Sequence, residues 1–413
     1  MDKTYIIPVP QKQQSQARNL SRYSGRIYSR VVSTIFKLKQ NKDIWLSKNS
    51  MEKLIRLYAG DFPLHSQSIQ GTVQQYYYNL KSFFKNKESN SQARPPFRSK
   101  KYFKVIYKKS AISYNNNILS LSNGRKGRPL KIKINNLKKT PKYAELLYNA
   151  CKEKYEVHIV VEVENKQKSY QDNDKTLAID LGQIHPMTTF DGKKVKIYNG
   201  GKLNSFIRFR NKELARINRK MSHCQRYSNR WKKLNQAKKK LLNKSYNKIM
   251  DVLKKYTSSL IDYCLRHKIS LIVVGDLTGI RDSEDVKFNS KTKQKIHQWT
   301  FQKIMNMIEY KARSVGIKLK TIDESYTSQT CPVCGSKNKT NNRSYSCSEC
   351  DFKYHRDGIG AINIYRKYTA GTLKGDKSDW LEGVLTSPYG LRYQSEVICC
   401  QTGWSISAFN SAG

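Results

Sequence analysis

The stretch CPVCGSKNKTNNRSYSCSEC bounds the fold most tightly, because it holds two Cys-x-x-Cys pairs twelve residues apart. Each pair, Cys331 with Cys334 and Cys347 with Cys350, reads as a knuckle presenting two thiolates. With an intervening hairpin, all four sulfurs can sit tetrahedrally at ~2.3 Å from one ion. Zn²⁺ is the expected ion, and iron is the alternative for the same donors. A four-cysteine site is closed, so its role is structural. The other cysteines, Cys151, Cys224, Cys264, Cys399 and Cys400, are scattered. An odd total of nine with one cluster fits a reducing compartment and a metal better than a disulfide framework.

Charge narrows the function classes. The 413 residues carry 78 Lys+Arg against 31 Asp+Glu, a formal net charge of +47. Self-repulsion of that size destabilises a compact state, and a polyanion relieves it. Nucleic acid is the expected partner, because each neutralised phosphate also releases counterions. No apolar run approaches the ~20 residues of a membrane span. The start, MDKTYIIPVPQKQQ, lacks the long apolar stretch of a secretory signal, so a cytoplasmic location is expected.

Periodicity divides the chain. TYIIPV reads as a short strand, and residues 11–92 are helical in character. In TVQQYYYNLKSFF, Val73, Tyr76, Tyr77, Leu80, Phe83 and Phe84 share one helical face, which reads as core, while Tyr78 falls off it. Pro95 and Pro96 mark a boundary. Beyond them YFKVIY, AISYNNNILSLS, LKIKI and EVHIVVEVE read as strands of a small barrel, and SYQDNDK as a linker. From Leu177 the pattern is α/β: LAIDLG, a hairpin of MTTFDG and KVKIYNG, a basic helical hairpin over 203–268, the strand LIVVGD, the helix IHQWTFQKIMNMIEYKARSVG and the strand IKLKTID. On the basic hairpin Ile217, Met221, Trp231, Leu234 and Leu241 are among the apolar positions, and its Lys/Arg face is either solvated or tracks phosphates.

Two acids stand where chemistry is expected. Asp180 ends the apolar strand LAIDLG, and Asp357 opens a helix in YHRDGIGAINIY, where Gly358, Gly360 and Ala361 allow close packing. Acids at a strand end and a helix start can share Mg²⁺ in two-metal phosphodiester hydrolysis. Asp357 can equally serve as a helix N-cap, and His185 can be a ligand or a structural loop residue.

Together AIDLG, QWTFQKIMNMIEYKA, YTSQTCPVCG and HRDGIGAINI resemble the TnpB proteins of insertion sequences, ancestors of the compact type V CRISPR effectors. The resemblance covers residues 177–364 and extends to the N-terminal half only in organisation. It implies a multidomain α+β chain. Residues 1–10 and 93–172 would be a wedge β-barrel and 11–92 a helical recognition lobe. Residues 175–328 and 355–370 would be an RNase H-like (RuvC) α/β nuclease domain, 329–354 an inserted zinc ribbon, and 371–413 a tail. It also implies RNA-guided cleavage of double-stranded DNA beside a short flanking motif, a guide RNA partner, two Mg²⁺ and one Zn²⁺, in a prokaryotic cell on the nucleoid.

One departure bears on activity. The family has Glu-Asp-Leu where this chain has Gly275-Asp276-Leu277. Asp276 is no automatic substitute, since successive strand residues point to opposite faces. Forty-nine positions on, Glu324 stands where many relatives have proline. Adjacent strands of such a sheet lie ~4.8 Å apart, a gap a Glu side chain bridges. The expected acids are therefore Asp180, Glu324 and Asp357, with Asp276 and Asp323 in reserve. Two further readings stay open: a guided DNA-binding repressor without nuclease activity, and an unguided zinc-ribbon DNA-binding protein.

Overall fold

A computed structural model describes residues 2–135, 137, 139–163, 175–276, 300–338 and 343–371, with the backbone of 389–393 and 398–401. The 169–175 linker (except Lys175), the expected helix start at 296–299 and most of the 371–413 tail lie outside the described residues. The chain forms two compact units, Met1–Glu164 and Asn165–Gly413.

In the first unit three helices, α1 (Gln14–Lys42), α2 (Lys48–Ala59) and α3 (Ser66–Ser89), pack on strands. α1 buries Ala17, Leu20, Ile27, Val31 and Ile35, the three- and four-residue spacing of one helical stripe. α2 starts at Ser47, whose hydroxyl accepts the Ser50 N–H. On α3, Val73, Tyr76 and Leu80 are buried, but Phe84 is half exposed and packs edge-on against Trp45. The aromatic stripe is wider than the buried face, so its last member covers a rim.

The expected barrel is two hydrogen-bonded sheets. One is antiparallel, in the order β1 (Asp2–Pro8), β7 (Lys154–Glu162), β6 (Tyr143–Asn149), β2 (Val105–Lys108). The other joins β3 (Ile112–Asn115), β4 (Ile118–Leu121) and β5 (Leu130–Lys133). A 3-10 turn at Lys109–Ala111 separates β2 from β3 and breaks the ladder.

The second unit centres on a seven-stranded sheet with a parallel middle. From one edge it runs β12 (Lys318–Asp323), β11 (Leu271–Asp276), β8 (Thr176–Asp180), β9 (Met187–Phe190) and β10 (Val195–Tyr198). The backbone of β15 (Tyr389–Tyr393) and β16 (Ile398–Gln401), from the segment read as a tail, completes it. β8, β11 and β12 are mutually parallel neighbours, and β9 is antiparallel to β8 and β10.

Alternation along these strands assigns two faces. Leu177, Ile179, Ile272 and Val274 join a core with α5 (Asn229–Arg266) and α6 (Phe301–Ser314). Ala178 and Val273 face the other way, against Ile364 of α7 (Arg356–Thr369). The basic hairpin is α4 (Gly201–Ser222) followed by α5. In the cysteine segment β13 (Ser344–Ser346) pairs with β14 (Lys353–His355). This hairpin encloses the second knuckle and does not lie between the two, because Cys347–Cys350 itself supplies its turn.

Candidate functional site

Strand parity decides which acids can meet. Asp180 has the parity of Ala178 on β8, and residue 275 that of Val273 on β11, so both face α7. On β12, Ile322 pairs in register with Gly275 and packs in the cluster around Ile364 of α7. Glu324, two residues on, shares that side. Asp276 has the parity of Val274, which faces α5 and α6.

Gly275 is where the strands interlock. A Cβ there would lie 2.5 Å from Glu324 Oε2, 3.0 Å from Glu324 Cβ and 3.1 Å from Ile364 Cδ1. The Glu324 carboxylate thus occupies the space that any side chain at 275 would fill. Asp180 lies against the first turns of α7 in the same manner. A Cβ on Gly360 would overlap its Oδ2 and come within 3.0 Å of its Cγ.

Helix α7 ties the pieces together. Its buried Asn363 donates through Nδ2 to Thr327 O and Thr330 O, both at 2.7 Å, anchoring the turn after Glu324. Arg366 Nη1 donates to Pro332 O at the first knuckle. Lys367 holds Asp323 at 2.7 Å. Of the two reserve acids, Asp323 is therefore exposed and ion-paired, and Asp276 is exposed at the end of β11.

Asp357 lies in the first turn of α7, where the helix dipole favours a carboxylate. The cap position belongs to His355, so the capping alternative for Asp357 does not hold. Its Oδ2 meets His185 Nδ1 at 2.7 Å and accepts from Arg343 Nη1 at 2.8 Å. His185 is buried. Its weak signal in the sequence was a histidine five residues past Asp180. Arg343 was missed. Its only signal is its place, four residues before Cys347, on the arm leading from the cysteine segment into β13.

The electrostatics follow from this crowding. Burial, then the charges of Asp357 and Glu324, push the Asp180 carboxyl well above the usual range. Glu324 is pushed up to about 7 by burial, then by Asp276 and Asp323. For Asp357 burial works upward, but the His185 hydrogen bond and the charges of His185, His355 and Arg343 outweigh it and hold it low. Burial brings His355 down to about 4.

Two side-chain groups among the described residues bring three or more ligand atoms within 4.8 Å of one another. They are the four cysteines, and His185 with His355 and Asp357. Asp180 and Glu324 are outside that second group. In the first, Cys331 Sγ is 3.6 Å from Cys350 Sγ, and Cys334 Sγ is 3.5 Å from Cys347 Sγ. A tetrahedron with ~2.3 Å metal–sulfur bonds has edges of about 3.8 Å, so these thiols fit one tetrahedral divalent ion. The acids fit a hard cation. Burial, then neighbouring carboxylates, raise both Asp180 and Glu324, and carboxylate oxygen is the donor that Mg²⁺ prefers.

Comparison with known proteins agrees with this architecture. Residues 301–364 match the family model described as a Cas12f1-like TNB domain, and residues 158–281 the OrfB_IS605 model, described as a probable transposase. A TnpB-like protein of Methanocaldococcus jannaschii is 31% identical over 141 residues, 34% of this chain and 50% of that protein. A CRISPR-associated endodeoxyribonuclease Cas12f1 of Sulfoacidibacillus thermotolerans is 33% identical over 113 residues, 27% of this chain and 25% of that protein. The aligned stretches thus span half or less of these relatives. Among solved structures, a Cas12f1–sgRNA–target DNA complex aligns over 86% of this chain and 83% of its own, with TM-score 0.61 and 14% identity. That likeness establishes a multidomain α+β fold of the Cas12 kind.

Proposed function

We propose that this chain, which belongs to the TnpB family, is an RNA-guided DNA endonuclease with a relocated acid. A guide RNA and double-stranded target DNA would be its partners, and Asp180, Glu324 and Asp357 would hold two Mg²⁺. The observation that carries the reading is the interlock at Gly275. Gly275 has no side chain where the resemblance puts a glutamate, and the Glu324 carboxylate from the end of the neighbouring strand fills that space. The strand order and directions are those expected of an RNase H-like sheet, with both strand acids on the face toward α7.

The chemistry supplied by bound Mg²⁺ would be stabilisation of the attacking and leaving oxygens in an in-line phosphodiester displacement. The chain's own residues prepare for it. Burial keeps Asp180 and Glu324 poorly solvated, so each favours a cation over water. His185 and Arg343 fix the Asp357 carboxylate through one oxygen, Oδ2, and set its orientation. The four thiols would hold a structural Zn²⁺. That ion would keep Arg343 on its arm, so the ribbon would act on the acid site by position alone.

A reading as a guided binder that does not cut has Gly275 in its favour. One experiment separates the two. The protein is expressed with its native flanking DNA, so that its own RNA copurifies, and is challenged with a plasmid library carrying randomised sequence beside a matched target. Mg²⁺-dependent cutting beside one short motif, abolished in Asp180→Ala, is expected. Tight RNA-dependent binding without cutting by the parent would establish the binder.

A further inference from the structure

The first unit contains a cavity of about 550 Å³ that holds none of these acids. Its walls come from three segments. Tyr148 and Tyr155 stand on β6 and β7 with ring centroids 5.2 Å apart, Arg18 projects from α1, and Tyr102 comes from the strand-free stretch before β2. Glu153, at the β6–β7 turn, completes the lining used here. We propose that this cavity binds one unpaired guanine nucleotide of a nucleic-acid strand.

The side chains supply the three things such a nucleotide needs. Tyr148 is 48% exposed and backed by the buried Tyr155, so it offers a supported ring face to a base. Arg18 donates to Tyr102 Oη at 3.3 Å and lies 5.8 Å from the ring centroid, with Lys101 Nζ also 5.8 Å from it. Two cations beside one ring suit a phosphate in a chain of net charge +47. Glu153 supplies the base preference. A carboxylate is acceptor-only, and the Watson–Crick edge of guanine presents adjacent N1–H and N2–H donors to its two oxygens. Adenine, cytosine and uracil each present one donor group there.

The turn carrying Glu153 is built rigidly. Asn149 Oδ1 accepts from the Cys151 and Lys152 N–H groups at 3.0 and 3.2 Å, and its Nδ2 donates to Glu156 at 2.9 Å. Glu153 itself holds φ +55°, a left-handed backbone that non-glycine residues rarely adopt. On the α1 side, Gln14 accepts from the Tyr155 N–H at 2.8 Å and donates to Val9 O at 2.7 Å, fixing the helix against β7. An ordered turn backbone and a helix tied to β7 hold the walls of the cavity in place.

The test is equilibrium binding of fluorescein-labelled oligouridylate carrying one central guanosine, one central adenosine, or neither. The probe protein is the full chain stripped of nucleic acid, at about 0.3 M salt, where nonspecific phosphate binding is weak. Guanosine is expected to bind about fivefold or more tighter than adenosine, the effect of one added charge-assisted hydrogen bond. Tyr148→Leu weakens the guanosine probe about tenfold, the scale of one lost stacking contact. Glu153→Gly, which suits the left-handed backbone, removes the preference, so that the guanosine and adenosine probes bind that variant equally. Deoxyribose versions tell a guide-RNA nucleotide from one in a displaced DNA strand. Equal binding of all three probes, or a preference that survives Glu153→Gly, overturns the proposal. No cleavage is read, so failure here is independent of the nuclease reading.

Discussion

The four-cysteine cluster and the carboxylate site are both candidate metal centres, but they are built in opposite ways. The ribbon draws its ligands from one stretch, Cys331 to Cys350, and its sulfurs already stand 3.5–3.6 Å apart in the two close pairs. The candidate carboxylate site draws on Asp180, Glu324 and Asp357, from two strand ends and a helix start, and burial followed by neighbouring carboxylates raises two of the three. A local motif makes a site that is complete once its loop closes. A site assembled by sheet register depends on which residues of neighbouring strands share a face, and there Glu324 fills the space beside Gly275.

The largest effect should come from the ribbon. Cys331→Ser or metal removal is expected to cost several kcal/mol of local stability, since structural sites of this kind supply folding energy outright. Cleavage should fall with it, because Arg343 and the Pro332 anchor of α7 lie on that segment. Thermal melts with metal stoichiometry check this. Full cleavage by a metal-free ribbon would show the two centres to be independent.

The next largest tests the interlock. Gly275→Ala places a methyl group 2.5 Å from Glu324 Oε2 and should cost about 1–3 kcal/mol, as overpacking does. In a Glu324→Gly background the same change should cost far less, so the double-mutant cycle is strongly non-additive. Additivity, measured by denaturant unfolding, would place the carboxylate elsewhere. Arg343→Gln, which frees one contact to Asp357, is expected to lower cleavage roughly 10- to 100-fold, the range for residues that orient metal ligands.

The smallest concerns pH. With Glu324 raised from its ordinary 4.5 to about 7, metal-free protein keeps the proton in the folded state while the unfolded chain has released it. This contribution is fully present below about pH 4.5 and lost as pH rises through about 7. Glu324→Gln should therefore raise the melting temperature of chelated protein by a few degrees at pH 8 and leave it unchanged near pH 4.5. No gain at pH 8 would mean that the carboxylate is solvated.

How much of this was legible depended on how local each signal is. The cysteine spacing exposed its site directly, and the aliphatic run ending at Asp180 exposed a buried strand. Glu324 was legible only through the glycine that answers it, which required knowing that β11 and β12 are neighbours. Arg343 carries no local pattern, being one basic residue among many. Its role exists only because β13, β14 and α7 fold back to place it beside Asp357. His185 was legible as a candidate but not as a partner, since 172 residues separate it from Asp357. Where a small barrel was expected, two sheets share one core, divided by a three-residue turn between two runs of alternating residues.

The most direct test of the account is cleavage of a matched plasmid target by the RNA-loaded Glu324→Gln protein, an isosteric change that removes only the charge. Target binding should be retained while cutting drops on the order of 10²–10³-fold, the scale for losing one group that stabilises developing charge. Cutting at the parental rate would contradict it, and the acid replacing residue 275 would have to be sought elsewhere on the sheet.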